Sequence, residues 1–307
     1  MMETILHTIF NAIIPLSIPV IAGAVLVYFQ NINIKPILTL VLYFLTPMLI
    51  FDTILKADIV FQDVFLTFVY STLYIILMWL VAKMASKLLK LPEPETAGLT
   101  LIATFTNSVN YGVPLVLLTL GQLGLEKAAI YVILQTILIN TIGVYFAARS
   151  HFSAKNAFTT IFKLPAIYAT LFAFPFNIFE WQLPRGITIG IEMVADSYSP
   201  IVLCLLGAQM MRVTRSSLKK HVQITFYAGF CIRTLIAPFI AFFILTFLNI
   251  QGTIASVLFI LSCMPVAVNA AILAEKFDAS PLAVSKTIFW TTLASFIVLP
   301  ICMVIIS

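Results

Sequence analysis

The chain has 307 residues, of which 62% are hydrophobic and only 9% charged. A water-soluble protein of this length needs far more charge to cover its surface. The continuous apolar runs also lack the polar/apolar alternation of an outer-membrane barrel. The composition predicts a polytopic helical membrane protein.

Apolar runs of about 20 residues, enough to cross a bilayer core as a helix, recur along the whole length. In chain order they predict spans at 6–29, 36–55, 64–89, 96–121 and 128–148, then at 157–179, 186–211, 222–248, 251–276 and 281–306. The first run is too long for the apolar part of a cleavable leader and follows Glu3, where positive charge belongs, so it is read as a span. The links are short and leave no room for a soluble domain. The longest basic link, 149–163, joins the two halves. The chain is therefore divided into an N-terminal five-helix repeat, residues 1–150, and a C-terminal five-helix repeat, residues 151–307. An odd number of spans per half makes the halves antiparallel in the membrane.

A net charge of +5 would suit an anionic partner such as nucleic acid, but the distribution of charge speaks against one. With the N-terminus outside, the cytoplasmic links, counting residues just inside the span ends, hold Lys35, Lys83, Lys87, Lys90, Arg149, Lys155, Lys163, Arg212, Arg215, Lys219, Lys220, Lys276 and Lys286. The outer links keep Lys56, Lys127 and Arg185, and Arg233 falls within a span. Thirteen basic residues against three is the positive-inside signal, and it places both termini on the outer side. The four cysteines lie singly in predicted spans and fit neither a metal spacing nor a disulfide framework. No cofactor is expected.

Two spans carry polar breaks. Span four holds "NSVNYGVPL", with Asn107, Asn110, Tyr111, Gly112 and Pro114; span nine holds "PVAVN", with Pro265, Val266 and Asn269. A shift of 155 positions lays Asn110 on Pro265 and Pro114 on Asn269. A proline lacks the N–H and clashes with the carbonyl four residues back, which predicts a break at each site. Freed backbone groups cannot face lipid, so they must meet protein, water or a ligand. A half-helix that begins in the membrane centre points its partial positive charge there. Two such breaks crossing make an anion-friendly pocket with asparagine amides beside it, the relation used by inverted-repeat transporters.

At these residues the chain resembles the auxin efflux carrier family, the bacterial permease branch related to the plant PIN-type exporters. A span-four pattern, roughly N-x-x-N-x-G-x-P-L, is met by Asn107, Asn110, Gly112, Pro114 and Leu115. A late pattern, roughly M-P-x-A-V-N with an A-E-[RK]-aromatic end, is met by Met264, Pro265, Ala267, Val268, Asn269, Ala274, Glu275, Lys276 and Phe277. The resemblance implies an all-α protein of ten transmembrane helices in two inverted repeats, with broken, crossing helices four and nine. Spans one, two, six and seven would form a scaffold and the other six a mobile transport domain, in an elevator-type carrier assembled as a homodimer. Its substrates would be small organic anions, carboxylates or auxin-like acids, with a coupling proton or sodium ion, in the plasma membrane. An anion channel or a membrane sensor on the same fold is the alternative. An enzyme is not expected, since neither H-E-x-x-H nor G-x-S-x-G occurs.

Three ionisable groups, Arg233, Glu192 and Asp196, lie where they are costly, because hydrocarbon penalises charge unless it is paired or hydrated. Arg233 is a candidate anion anchor or a partner of backbone carbonyls. Glu192 and Asp196, four apart on one helical face, are candidates for cation coupling or charge pairing. Gly23, Gly190 and Gly207 are candidates for a sliding face, or for ordinary close packing of helices.

Overall fold

The computed structural model describes residues 14–30, 32–56, 61–148, 165–213 and 219–306. The basic link between the two halves lies outside them. The described residues are nearly all helical, and an isolated bridge is the only β pairing among them. Helix α1 is Ile14–Gln30, α2 covers 35–56, and α3 is Phe61–Leu88. The fourth helical region comes in two pieces, α4a (Glu93–Thr104) and α4b (108–120), and α5 is Leu123–Ala148. In the second half α6 is Pro165–Ile178, α7 is Arg185–Val213 and α8 is Lys220–Phe247. A ninth region again comes in two pieces, α9a (Gly252–Ser262) and α9b (Val268–Phe277), before α10 (Pro281–Ile306).

Among the described residues α3, α5, α7, α8 and α10 each contain a stretch long and apolar enough to cross a membrane. Their outer faces are apolar too: α3 exposes Phe61, Phe65, Phe68, Leu80 and Met84, and α8 exposes Phe239, Phe243 and Phe247. Water would penalise such faces, whereas lipid accepts them because each helix satisfies its own backbone. The protein is a multi-pass helical membrane protein.

Three of the prolines in these helices share one device. Pro47, Pro114 and Pro238 each stand two residues after a π-helical turn, at Val41–Leu45, Ser108–Gly112 and Ile232–Ile236 respectively. A proline ring collides with the carbonyl four residues back in a regular α-helix. Widening the turn moves that carbonyl, so the helix continues past the proline. This corrects one expectation. Pro114 does not break span four; it lies in the first turn of the continuing helix, where a missing N–H costs little. The chain leaves the helix earlier, at Phe105, which is extended with φ −111° and ψ 128°. Further along, Gly121 turns the chain with φ +66° and ψ −159°, a conformation suited to glycine, and separates α4b from α5.

Packing sorts the helices into two sets. In the first, α1 lies along α7, and α2 packs against α6 and α7. In the second, α4a packs against α3, α8 and α10, while α9a packs against α8 and the 113–138 helix. Contacts between the sets are sparser and involve chiefly α7 with α10 and with the turn at Ser108–Gly112. The α1–α7 seam is held by glycines. A Cβ on Gly23 would stand 1.7 Å from the Cys204 carbonyl oxygen, and one on Gly207 would stand 1.8 Å from that of Val20. Neither therefore lines a face between the two sets, and Gly190 has no atom near its missing side chain. Close helix packing is what these two glycines provide.

Candidate substrate-binding site

The two interrupted helices meet at their breaks. Thr106 and Val266, 160 positions apart, form an antiparallel bridge. Asn107 N donates to the Pro265 carbonyl at 2.8 Å, and Ala267 N donates to that of Phe105 at 3.1 Å. Each break thus satisfies backbone groups that the other has freed, as a water-free interior demands. The pairing differs by five positions from the 155-residue shift read in the sequence. That shift aligned an asparagine with a proline by letter, while the chain pairs a threonine with a valine by main-chain hydrogen bonds. Val266 N is also 3.3 Å from Thr291 Oγ1, which ties the bridge to α10.

Beyond the bridge the helices restart, α4b from Ser108 and α9b from Val268. The first N–H groups of a helix have no intrahelical acceptor and carry partial positive charge. Both restarts line one small hollow, together with Thr106, Asn107, Val109, Gln135, Thr136 and Asn269. Among the described residues eight buried side-chain polar atoms lack a hydrogen-bond partner. Four of them gather here: Thr106 Oγ1, Asn107 Nδ2, Ser108 Oγ and Asn269 Oδ1. An unpartnered buried polar group costs about 1 to 3 kcal/mol, so a cluster of four leaves hydrogen-bonding capacity that a polar ligand or water could take up. The hydroxyls and the Asn107 amide can donate, and rotating the Asn269 amide would present its NH₂ as well. With about 20 Å³ free the hollow holds roughly one water in this state.

A family model described as membrane transport protein matches residues 8–303. The chain belongs to this family, the auxin efflux carriers. An uncharacterized transporter of Methanothermobacter thermautotrophicus is 28% identical over 263 residues, covering 85% of each chain. A second uncharacterized transporter, from Methanocaldococcus jannaschii, is 25% identical over 272 residues, again covering 85% of each.

The remaining candidate residues of this transporter fall in three places. Tyr111, in the first turn of α4b, is buried, and its hydroxyl accepts from Ser295 Oγ on α10 at 3.2 Å. Gly112 lets α4b pass the end of α9a, because a Cβ there would meet Leu261 Cδ2 at 2.5 Å. Asn110 lies in the π turn by its backbone, and its side chain is outside the described part. Pro265 is inside the second break, where its carbonyl serves the bridge.

Arg233 is 1% exposed and stands on the opposite side of the crossing chemistry, at the carbonyl ends of the half-helices. Its Nε donates to the Met264 carbonyl at 3.1 Å, Nη1 to Ala103 at 2.6 Å, and Nη2 to Ser262 O and to the Tyr74 hydroxyl. Tyr74 in turn donates to Ser262 O at 3.1 Å. The positive ends of the half-helices face the hollow and the negative ends face a cation. That separation of charge was invisible in the sequence, because no residue pattern marks a carbonyl as a partner.

Glu192 pairs across the α2–α7 seam with Lys56 at 2.9 Å, and the same Nζ lies 2.9 Å from Asp52 Oδ1. Asp196 is exposed one turn further along α7. Asp52 and Lys56 border a hollow of about 1020 Å³ between the two helix sets, lined also by Phe61, Leu134, Asn177, Trp181 and Thr188. It is much larger than the cavity at the breaks but contains none of the unpartnered atoms. An apolar layer of Ile50, Ile54, Ile133 and Ala173 packs beside it. Sequence reading missed Lys56 as the shared partner of Asp52 and Glu192, since its pairing with Glu192 joins helices more than 130 residues apart.

Proposed function

We propose that this transporter is a secondary carrier for small organic anions, carboxylates or auxin-like acids, with ten spans in two inverted repeats. The observation that carries the reading is the gathering of four unpartnered polar atoms at two half-helix starts. Positive helix ends and neutral donors bind a carboxylate without burying a lysine or arginine beside it. The inverted-repeat reading draws support from the spacing of equivalent elements: α3 and α8 begin 159 positions apart, as do α4a and α9a, and the bridge joins positions 160 apart. A screen of mono- and dicarboxylates on purified protein, scored by thermal shift, tests the ligand class. Saturable uptake into vesicles, competed by the same anion, separates a carrier from a channel or a sensor.

The two packing sets support an elevator-type movement, with α1, α2, α6 and α7 as the fixed scaffold of a homodimer. The sparse contacts between the sets give the second set room to slide, and the hollow between them leaves space on one side. A cysteine crosslink between α2 and α5 is expected to abolish uptake while preserving ligand binding from one side. A crosslink inside the second set, between α3 and α8 away from the cavity, is expected to be tolerated. Full transport with the first crosslink in place would favour local gating around a fixed site.

The basic-residue asymmetry supports a plasma-membrane orientation with both termini outside. Single cysteines beside Arg185, in a background lacking the native four, are expected to react with an impermeant thiol reagent applied to intact cells. Cysteines beside Lys219 should need permeabilisation first. The opposite pattern would invert the topology.

A further inference from the structure

Main-chain carbonyls at the ends of broken helices are the usual ligands of coupling cations in transporters of inverted-repeat design. Three such oxygens converge here. Ala103 lies in the last turn of α4a, Ser262 ends α9a, and Met264 lies in the second break. The Tyr74 hydroxyl completes the set, and its neighbour Tyr70 holds the Ser262 hydroxyl at 2.8 Å. Hard oxygen donors of this kind suit a small cation. The space is taken by the guanidinium of Arg233, with four N–H bonds to these oxygens and its charge carbon 5.9 Å from the Tyr74 ring centre. Among the described residues no carboxylate pairs with it. The fully buried charge is balanced by the helix-end carbonyls together with the Tyr74 hydroxyl and ring.

We infer that Arg233 is a tethered cation that occupies the carbonyl cage of the crossing, so the two breaks are held together without sodium or another dissociable ion. The guanidinium fork suits the task because it reaches both half-helices at once. Nη1 takes the end of α4a, and Nε and Nη2 take the end and break of α9a. A free ion leaves when its concentration falls, whereas this one is anchored to α8 and travels with the helices it joins. Arg233 is thus a positioning residue: it acts on the anion cavity through the two half-helices and never touches the ligand. The inference takes from the carrier reading only the idea of coupling, and the cage chemistry is tested with no substrate present.

The test compares melting temperatures of detergent-purified protein in sodium, lithium, potassium and choline chloride at equal ionic strength. The wild-type protein is expected to melt alike in all four. Arg233→Ala empties the cage and is expected to melt at least about 5 °C lower in choline. Sodium or millimolar methylguanidinium should recover part of that loss with a saturable dose response. Arg233→Lys, which keeps the charge but loses the fork, should fall between the two. Saturable stabilisation of the wild type by sodium over choline would overturn the proposal. So would an alanine variant indifferent to every cation. Where the alanine variant does not fold, the wild-type salt series and the lysine variant decide, a lysine variant indistinguishable from wild type counting against the fork. A failed carboxylate screen would leave these results standing, and a cation-responsive wild type would leave the anion cavity standing.

Discussion

Asn107→Ala and Asn269→Ala are each expected to weaken anion binding by roughly ten- to a hundredfold. A hydrogen bond to a charged partner contributes about 1.5 to 3 kcal/mol. Asn107 Nδ2 and Asn269 Oδ1 are buried at the cavity without partners, so their amides are free to serve a ligand. The same fact fixes the sign of the second effect. Removing a buried polar group that has no partner also removes its desolvation cost, about 1 to 3 kcal/mol in the ligand-free protein. The variants are therefore expected to melt no lower than wild type, and even somewhat higher, while the shift caused by a bound carboxylate shrinks or vanishes. Thermal unfolding with and without ligand reads both quantities at once. A ligand-induced shift unchanged in both well-folded variants would remove the cavity from consideration as the binding site.

Gly23→Ala and Gly207→Ala are expected to destabilise the protein more than most single changes in a helical membrane protein. The new methyl groups would fall 1.7 and 1.8 Å from backbone oxygens of the facing helix, and a backbone oxygen cannot rotate away as a side-chain tip can. Helices α1 and α7 would have to separate along their whole seam. Overpacking of this kind costs about 3 kcal/mol, and the small-residue contacts that let the backbones approach are lost together. Gly190→Ala is the control. It lies on α7 with nothing within 4 Å of the added methyl, and an alanine in a helix interior is up to about 1 kcal/mol more favourable than glycine. Equal melting temperatures for all three variants would contradict the tight α1–α7 seam.

The helices were legible because lipid imposes a simple rule: about 20 apolar residues in a row satisfy both backbone and surroundings. The stretches around Asn107 and Asn269 stood out because amides are expensive in that setting. What the sequence hid was non-local. Phe105 and Thr106 are ordinary apolar-compatible residues, and they turn extended because Val266 and Ala267 offer them main-chain partners. Pro114, the most conspicuous breaker, proved harmless once a π turn had widened the helix before it. Arg233 was conspicuous by its charge, yet its partners are carbonyls of three residues with nothing in common. The pairing of Lys56 with Glu192 was hidden for the same reason, since the two lie on different helices of different halves.

The bridge between Thr106 and Val266 is written in the main chain, and main-chain bonds are indifferent to side-chain identity. The residues flanking it can therefore change their chemistry without unbuilding the junction on which they are mounted. Two relatives that agree with this chain at barely a quarter of their positions can retain the same junction while presenting different groups to the cavity. A swap of the short segments 106–109 and 267–269 between such relatives should then transfer preference for one anion over another as a cassette. The framework would carry the movement, and these seven positions would carry the choice of cargo.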